Sequence, residues 1–316
     1  MSVPTPAVGG AEGEQLMTRV IWYYFVAGMT QQQIADKLGI TRLRANRMIG
    51  SARANSLVRI EVRMPLARCV ALEEEIRQHY GLQHVTVVPA VDDDQAPQRI
   101  VGQAAAALLE PMLVDGKGFG LGWGRTLSSL VRGLAPRRLP NAWTVTLMGS
   151  LTRGSGINTF EVSTQFAGLM GMECHYVAAP IYCPSSESRT TLLTHEGLAE
   201  AMRRAGEVDV ALLSCGDLST KSLLAQTQIV RQCVPELREA GAVGDILGVF
   251  LDADGTPVDH PLNSRVMALP PAELRRIPTS ILVSGGINKA PIIKAITKAG
   301  YVTHLVTDES VAEAMV

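Results

Sequence analysis

Apolar side chains recur at helical spacing in three consecutive blocks near the start of the chain. Thr30 followed by Gln33 forms a capping-box pattern at the start of the second block. Gly39, which tolerates positive φ, separates this block from a third one that Thr41 can cap. Residues 57–62 then alternate between apolar and polar, which predicts a strand. Three short helices followed by a strand predict a winged helix-turn-helix. The apolar positions that define the helices are Leu16, Val20, Ile21, Tyr24, Ile34, Ala35, Leu38, Ala45, Met48, Ile49 and Ala52.

After residue 83 the pattern changes to short apolar segments that alternate with helical ones. Such regular alternation predicts a largely parallel sheet that is covered by helices on both faces. The fold class is therefore α/β, with a Rossmann-like C-terminal domain. The predicted strands span residues 84–90, 117–121, 143–148, 174–179, 208–214, 246–251, 279–284 and 302–306. The predicted helices span residues 95–113, 125–134, 158–170, 192–205, part of 219–240, 288–299 and 308–316.

These patterns divide the chain into four segments. The Pro-, Gly- and Ala-rich residues 1–13 form a predicted tail, and residues 14–63 form the winged helix-turn-helix. A helical segment over residues 64–82 connects this unit to the α/β domain of residues 83–316. The length of 316 residues agrees with two folded domains, at about 100–200 residues each.

Composition narrows the class of protein. Hydrophobic residues make up 47% of the chain and charged residues 19%, which excludes a mostly disordered protein. The sequence has no run of about 18 apolar residues and no signal-peptide pattern at its start, so we expect neither a membrane span nor secretion. The 5 cysteines are odd in number and form no CxxC motif, which favours a reduced, cytoplasmic protein without a metal site.

The net charge of −1 conceals an uneven distribution. Residues 1–63 contain eight Lys and Arg against four Asp and Glu, a charge of +4, so residues 64–316 carry −5. Six arginines and one acidic residue lie between residues 42 and 63. A basic segment joined to an acidic body is typical of a nucleic-acid-binding module attached to a second domain. A solvated basic surface is the alternative interpretation.

The basic segment coincides with the second and third predicted helices. Ala35 lets these helices pack closely, and Gly39 permits the turn between them. The polar side chains of the third helix point away from its apolar face, as a helix that enters the major groove requires. There Arg would contact guanine and Asn adenine, whereas Thr41 and either Gln31 or Gln32, at helix N-termini, would contact phosphates. An ordinary three-helix unit with exposed arginines is the alternative. The predicted DNA-binding residues are Gln31, Thr41, Arg42, Arg44, Asn46 and Arg47.

Three glycine-bearing loops follow predicted strands of the α/β domain. A glycine-rich loop that enters a helix presents backbone N–H groups and the positive end of the helix dipole to an anion. In an open parallel sheet such loops gather at the carboxyl ends of the strands, where ligands bind. Tight-turn glycines beside surface cations are the alternative. The residues of these loops that we predict to bind a small molecule are Gly120, Gly122, Gly124, Arg125, Thr126, Gly149, Ser150, Thr152, Arg153 and Lys289.

Other polar residues of the α/β domain receive no catalytic role. Asp245 lies between Gly244 and an apolar run, which predicts a buried or cleft carboxylate that can bind sugar hydroxyls. His260 is interpreted as structural, and Cys215 as a small buried thiol at a strand end. The sequence contains no serine-nucleophile elbow, HExxH motif or Walker A motif. We therefore predict neither catalytic residues nor a cofactor.

Several motifs of the chain occur together in one known family. They are Gly28–Ala35, Leu38-Gly39, Arg42, Arg47, Leu57–Ile60, Gly122–Thr126, Gly241–Gly248, Asp259–Asn263 and Gly285-Gly286 with Lys289. In combination they resemble the SorC family of bacterial sugar-responsive transcription regulators, from about residue 16 to residue 316. The resemblance implies an effector domain similar to phosphosugar isomerases and deaminases, which binds a phosphorylated sugar without turning it over. It also implies a tetramer on operator DNA. The implied effector pocket consists of residues 120–126, residues 149–153, Asp245, Leu247 and Lys289.

Two departures from the family pattern affect the predicted ligand and DNA contacts. Gly149-Ser150 replaces a pair of glycines that is common in the family, so a free pentose or a sugar alcohol remains an alternative effector. Leu43-Arg44 stands where a proline or small residue followed by Lys is common.

Two other functions remain open from the sequence. One is a sugar-phosphate isomerase or deaminase with a fused DNA-binding domain, whose general base would be Asp245 or His260. The other is an adaptor whose helix-turn-helix binds another protein.

Overall fold

The computed structural model describes residues 11–54, 57–58, 67–91, 96–151 and 158–316. The chain divides into two compact units, Met1–Met64 and Pro65–Val316. The strand predicted over residues 57–62 lies for the most part outside the described residues. In the part of the chain that is described, no helix combines the length and the apolar character needed to cross a membrane.

The described part of the first unit contains three helices: α1 (Ala11–Phe25), α2 (Gln31–Leu38) and α3 (Arg42–Ala54). Because α1 begins at Ala11, the last residues of the predicted tail are helical. The three helices share a core formed by the apolar positions that the helical spacing selects. The buried members of this core are Val20, Ile34, Ala45, Met48 and Ile49.

Local hydrogen bonds define the turn between α2 and α3. Oγ1 of Thr30 accepts from the backbone N–H of Gln33 over 3.3 Å, and Oε1 of Gln33 accepts from the backbone N–H of Thr30 over 2.9 Å. The predicted capping box is therefore confirmed. Gly39 ends α2 with a φ of +64°, a conformation that L side chains rarely adopt. Oγ1 of Thr41 accepts from the N–H of Arg44 over 3.2 Å at the start of α3.

The second unit is built around a parallel sheet. Its described strands are β1 (His84–Val88), β2 (Gly118–Leu121), β3 (Trp143–Thr146), β4 (Glu173–His175), β5 (Val210–Leu213), β6 (Cys215–Gly216), β7 (Gly244–Ile246), β8 (Val249–Leu251), β9 (Thr279–Val283) and β10 (His304–Asp308). Seven of them form one sheet in the order β1-β10-β9-β5-β2-β3-β4, in which every pairing is parallel. The predicted α/β class with a parallel sheet is confirmed.

Helices cover this sheet on both faces. The described helices of the second unit are α4 (Ala67–Tyr80), α5 (Ala96–Leu109), α6 (Arg125–Gly133), α7 (Thr159–Met170), α8 (Ser186–Leu193), α9 (Glu196–Ala205), α10 (Gln228–Glu239), α11 (Pro261–Arg265), α12 (Pro271–Leu274), α13 (Ala290–Lys298) and α14 (Glu309–Met315), with 3-10 turns at Glu110–Met112 and Ile287–Lys289. Strand β5 shows why two layers are needed. Its Val210 and Leu212 belong to one hydrophobic core, and its Ala211 and Leu213 belong to the other. Alternate side chains point to opposite faces of a strand, so both faces must be covered.

The strand predicted over residues 246–251 is wrong, because this segment contains a tight turn. Leu247 and Gly248 have positive φ values of 53° and 80° and join β7 to β8 as an antiparallel hairpin. Positive φ at both central residues is the geometry of a two-residue hairpin turn. With β6, the hairpin forms a separate three-stranded sheet. The apolar run concealed the turn, since leucine rarely takes a left-handed conformation.

Candidate functional site

Helix α3 separates its side chains into a buried and an exposed set. Ala45, Met48 and Ile49 are buried in the core of the first unit. The residues between and before them face solvent, namely Thr41, Arg42, Leu43, Arg44, Asn46 and Arg47. The exposed set therefore contains three guanidinium groups and one amide on one helix. Such a surface can contact phosphates and base edges in a major groove.

The side chains of Gln31 and Thr41 each make a hydrogen bond within the first unit. Nε2 of Gln31 donates to Oδ1 of Asn46 over 3.1 Å. The Thr41 hydroxyl accepts the backbone N–H of Arg44, which makes it the cap of α3. A hydroxyl that accepts this bond still has an O–H to donate to a phosphate.

The strand order of the second unit changes direction between β2 and β5. From β2 the chain continues to β3 on one side, whereas from β5 it continues to β9 on the other. The connections after these two neighbouring strands therefore run in opposite directions, and open parallel sheets bind ligands in the crevice at the carboxyl ends of strands related in this way. The two strand ends are joined by a bond of 2.8 Å from the N–H of Gly122 to the carbonyl oxygen of Leu212.

The first glycine loop lies at this crevice. Gly122 is buried, and a Cβ there would lie 3.4 Å from both Leu212 O and a methyl group of Leu247. Gly124 caps α6 with a φ of +116°, and a Cβ there would lie 3.7 Å from Oγ of Ser214. Thr126 is buried in the first turn of α6. Arg125 is exposed and donates through Nη1 to the carbonyl oxygen of Lys221 over 3.4 Å.

Asp245 brings a carboxylate to the same region. The residue is 3% exposed, and its Oδ2 accepts from the N–H of Gly248 over 3.1 Å. Its Oδ1 faces Gly216, where a Cβ would lie only 2.5 Å away. Burial raises the pKa of Asp245 to about 7, although the Gly248 N–H and the charge of Lys289 act in the opposite direction. A buried carboxylate without a close ion pair is an unusual and costly group, which is typical of a binding or reaction site.

Lys289 supplies the cation of this region. It follows β9, and its Nζ donates to Oγ of Ser284 over 3.4 Å. Sγ of Cys215, which follows β5, donates to the same Ser284 oxygen over 3.2 Å. The loops after β5 and β9 and the start of the β7–β8 hairpin therefore meet beside Asp245.

Other predicted loop residues have packing roles. Gly120 lies within β2, where a Cβ would meet the Leu147 side chain at 2.5 Å. Gly149 packs against backbone, since a Cβ would lie 2.5 Å from the carbonyl oxygen of Ala179. The buried Ser150 hydroxyl donates to Oδ1 of Asn158, the residue that caps α7. The predicted ligands Thr152 and Arg153 lie outside the described residues.

Two side chains that could suggest catalysis are held in structural positions. Burial raises the pKa of the Cys215 thiol to about 11, so it is a protonated, weak nucleophile at neutral pH. Nδ1 of His260 accepts from the N–H of Leu262 over 3.2 Å and caps α11. The remaining nitrogen, Nε2, faces Glu236 and Cys233, and the three side chains place ligand atoms within 4.8 Å of one another. Because Nδ1 accepts a hydrogen bond, the neutral ring carries its proton on Nε2, which opposes metal binding through that atom.

Sequence reasoning missed the contribution of the loop after β5. Ser214 and Gly216 adjoin the glycine loop and Asp245, respectively, and Asp217 is buried beside them. The order of strands in the sheet, which makes β5 the neighbour of β2, carries no local sequence signal. A Cys-Gly-Asp sequence at a strand end was the available cue.

Comparison with known proteins agrees with this geometry. The Sugar-bind family, a sugar-binding domain, matches residues 64–316. The chain belongs to this family. The resemblance to SorC-type regulators that the motifs indicate is confirmed.

The similarity of this sugar-binding family member to its relatives extends over nearly its whole length. The erythritol catabolism regulatory protein EryD of Brucella abortus is 30% identical over 309 residues, which cover 96% of each chain. The transcriptional regulator LsrR of Escherichia coli K12 is 30% identical over 311 residues, covering 96% of this chain and 94% of LsrR. The structure of the full-length sorbitol operon regulator SorC of Klebsiella pneumoniae is similar, with a TM-score of 0.77 and 23% sequence identity. The match covers 97% of this chain and 99% of the SorC chain. This last likeness shows a shared fold.

Proposed function

We propose that this protein is a DNA-binding transcriptional regulator whose affinity for its operator is controlled by a sugar, sugar phosphate or sugar alcohol. The supporting observation is the combination, in one chain, of an exposed basic helix and a sugar-binding domain with a buried carboxylate at its strand-end crevice. The relatives whose names call them regulators match across both parts.

In this proposal, residues 14–63 bind DNA and residues 64–82 connect them to the effector domain of residues 83–316. Arg42, Arg44, Asn46 and Arg47 contact the operator from α3, and Gln31 and Thr41 do so from helix N-termini. Arginine offers two donors to guanine O6 and N7, and it also neutralises phosphates. The acidic body of the chain directs DNA to the basic first unit.

The effector occupies the crevice between the ends of β2 and β5. Its hydroxyl groups donate to the Asp245 carboxylate, and the backbone of Gly122–Gly124 approaches closely because these positions lack side chains. Leu247 packs beside Gly122, and we also assign Arg125, Thr126 and Lys289 to the effector site. The names of EryD and SorC refer to erythritol and sorbitol, which favours a sugar alcohol. Lys289 keeps a phosphorylated sugar open as the alternative.

Control of DNA binding follows from linkage between the two sites. An effector that binds more tightly to one arrangement of a homo-oligomer shifts the population toward that arrangement. The affinity for the operator then changes by the coupling free energy between the two sites. We place this oligomer, a tetramer by resemblance to the SorC family, in the cytoplasm, where the DNA is.

A second candidate function is sugar-phosphate isomerisation by the same site. The pKa of about 7 suits Asp245 to act as a general base at neutral pH. His260 accepts a hydrogen bond from the N–H of Leu262 through Nδ1, which gives this residue a capping role at α11. Turnover of a phosphosugar by the full-length protein would favour the enzyme, whereas saturable binding without turnover favours the regulator.

The experiment combines a ligand screen with DNA titration. Melting temperatures are measured in the presence of pentoses, hexoses, four- to six-carbon polyols and their phosphates, because a ligand of the native state raises the melting temperature. The protein is also titrated with DNA from the region upstream of its own gene (upstream DNA) and with DNA of random sequence, each at several salt concentrations. We expect a stabilising polyol or sugar, and a salt-dependent preference for the upstream DNA that this ligand alters. A protein without any preference for its upstream DNA would contradict the proposal.

A further inference from the structure

Helices α2 and α3 are joined by a side-chain hydrogen bond on the surface proposed to bind DNA. Nε2 of Gln31 donates to Oδ1 of Asn46 over 3.1 Å. Gln31 is the first residue of α2, and Asn46 lies in the second turn of α3. Asn46 is exposed, whereas its neighbour Ala45 is fully buried. The hydrogen bond therefore lies on the solvent-facing side of the helix pair and is not part of its core.

This contact orients the asparagine amide. A primary amide carries an acceptor oxygen on one side and an amino donor on the other. Because Oδ1 of Asn46 is turned toward Gln31, its Nδ2 amino group faces the other way. An asparagine without such a partner can present either edge by rotation of its side-chain amide, and it loses that freedom when it binds a base. Gln31 limits this freedom before DNA is bound.

The orientation selects a class of base edge. In the major groove, the acceptors are N7 of the purines, O6 of guanine and O4 of thymine, whereas the amino groups of cytosine and adenine are donors. An amide that presents its amino group pairs with an acceptor. A reversed amide would instead prefer a base that presents a donor.

We propose that Gln31 is a positioning residue for base recognition, which holds Asn46 so that its amino group selects an acceptor on one base of the operator. This inference rests on the proposed DNA-binding function. It gives Gln31 a role distinct from the phosphate contact expected at the N-terminus of α2. It also makes the two residues one energetic unit, whose separate substitutions have non-additive effects.

A double-mutant cycle tests the coupling. Full-length wild type, Gln31→Ala, Asn46→Ala and the double variant are titrated with upstream DNA duplexes in which each base pair is changed in turn. Wild type should prefer an acceptor at one position by about tenfold. Each single variant should lose this preference, and the double variant should lose no more than Asn46→Ala alone. Gln32→Ala is the matched control, since the Gln32 side chain donates to Asp36 within α2 and should leave the preference intact.

The variant Gln31→Glu tests the orientation itself. A carboxylate only accepts hydrogen bonds, so the Asn46 amide must rotate and donate through Nδ2 to it. The amide oxygen then faces the groove, and the preferred base at that position should change to one that presents an amino group. An acidic residue in the first turn favours α2, so the fold should be retained. Gln32→Glu introduces the same charge one residue away and measures the general loss of affinity for DNA.

Two results would overturn the proposal while leaving DNA binding in place. One is an equal loss of affinity for every duplex in Gln31→Ala, which would indicate a phosphate contact or a structural role only. The other is an unchanged base preference in Gln31→Glu. If wild type shows no salt-dependent preference for any duplex, the proposed function itself fails, and the positioning role fails with it.

Discussion

The two units of this protein hold their functional side chains in opposite ways. In the first unit, the arginines and the asparagine of α3 are exposed, and the core beneath them is made of other residues. In the second unit, Asp245 and Ser284 are buried, and they share the crevice with glycines whose missing side chains make room. Removal of the exposed arginine side chains leaves the core of the first unit in place. Substitution of the buried groups can change both the stability of the fold and the affinity for the ligand. The stability of each such variant must therefore be measured together with its ligand affinity.

The charge distribution follows the same division. The basic first unit offers several cations to a polyanion, and each contact adds to a salt-dependent affinity. The acidic remainder of the chain provides no general field for an anion, so an effector there must be recognised by local groups such as Lys289 and the backbone N–H groups of the glycine loop. The first unit therefore offers many exposed charges for recognition, whereas the second unit offers a few local groups that are buried or half-buried.

Removal of the two outer arginines should give the largest effect. Arg42→Ala with Arg47→Ala should weaken binding to upstream DNA about a hundredfold, because each base or phosphate contact of this kind contributes about 1–3 kcal/mol. The stabilisation by effector should be unchanged. Fluorescence anisotropy gives the DNA affinity, and thermal unfolding gives the effector response. Arg19→Ala, an exposed arginine on α1, is the control. DNA affinity that stays within a few-fold of wild type in the double variant would show that α3 is not the contacting surface.

A methyl group at Gly216 should affect only the second unit. Its Cβ would lie 2.5 Å from Oδ1 of Asp245 and 3.0 Å from Oγ of Ser222, so the carboxylate must move. Effector affinity should fall roughly tenfold, as expected for a disturbed hydrogen bond to a charged group, while DNA binding without effector is retained. The effector Kd is measured by calorimetry. Gly168→Ala, at an exposed helical position with no heavy atom within 4 Å of the new Cβ, is the matched control. Equal effector affinity in Gly216→Ala and wild type would place the ligand away from Asp245.

The last expected effect is on the pH dependence of stability. The pKa of Asp245 is about 7 in the folded protein and 3.8 for the unperturbed group. Between these values the folded state keeps a proton that the unfolded state releases, so stability falls as the pH rises from 4 to 7, by at most about 1.4 kcal/mol per pH unit. Asp245→Asn should remove this slope and be more stable than wild type at pH 8.

Urea unfolding of the ligand-free protein at pH 5 and pH 8 measures this difference. Asp254→Asn is the control, since Asp254 is exposed and Lys298 lowers its pKa. This variant should keep the slope that Asp245 produces. An Asp245→Asn variant with the wild-type slope would show that another group causes the pH dependence.

Much of the first unit could be predicted because its determinants are local. The capping box of Thr30 and Gln33, the left-handed Gly39 and the apolar spacing of α3 each act over a few residues. The parallel sheet of the second unit was also predictable, since alternating apolar strands and helices leave few other arrangements.

Only the tertiary structure decided which loops share a site. The neighbours of β5 in the sheet are β2 and β9, both distant along the chain, and this order brings Ser214, Gly216 and Ser284 beside the first glycine loop and Asp245. The tertiary structure also places Gly120 and Gly149 against neighbouring side chains and backbone, and Ser150 against Asn158. The sequence context of these residues nevertheless resembles that of Gly122 and Gly124. Local sequence determines whether a segment forms a strand or a turn, but the pairing of distant strands depends on the packing of the whole core. The same holds for Gln31 and Asn46, whose contact exists because α2 and α3 cross at the angle that their shared core imposes.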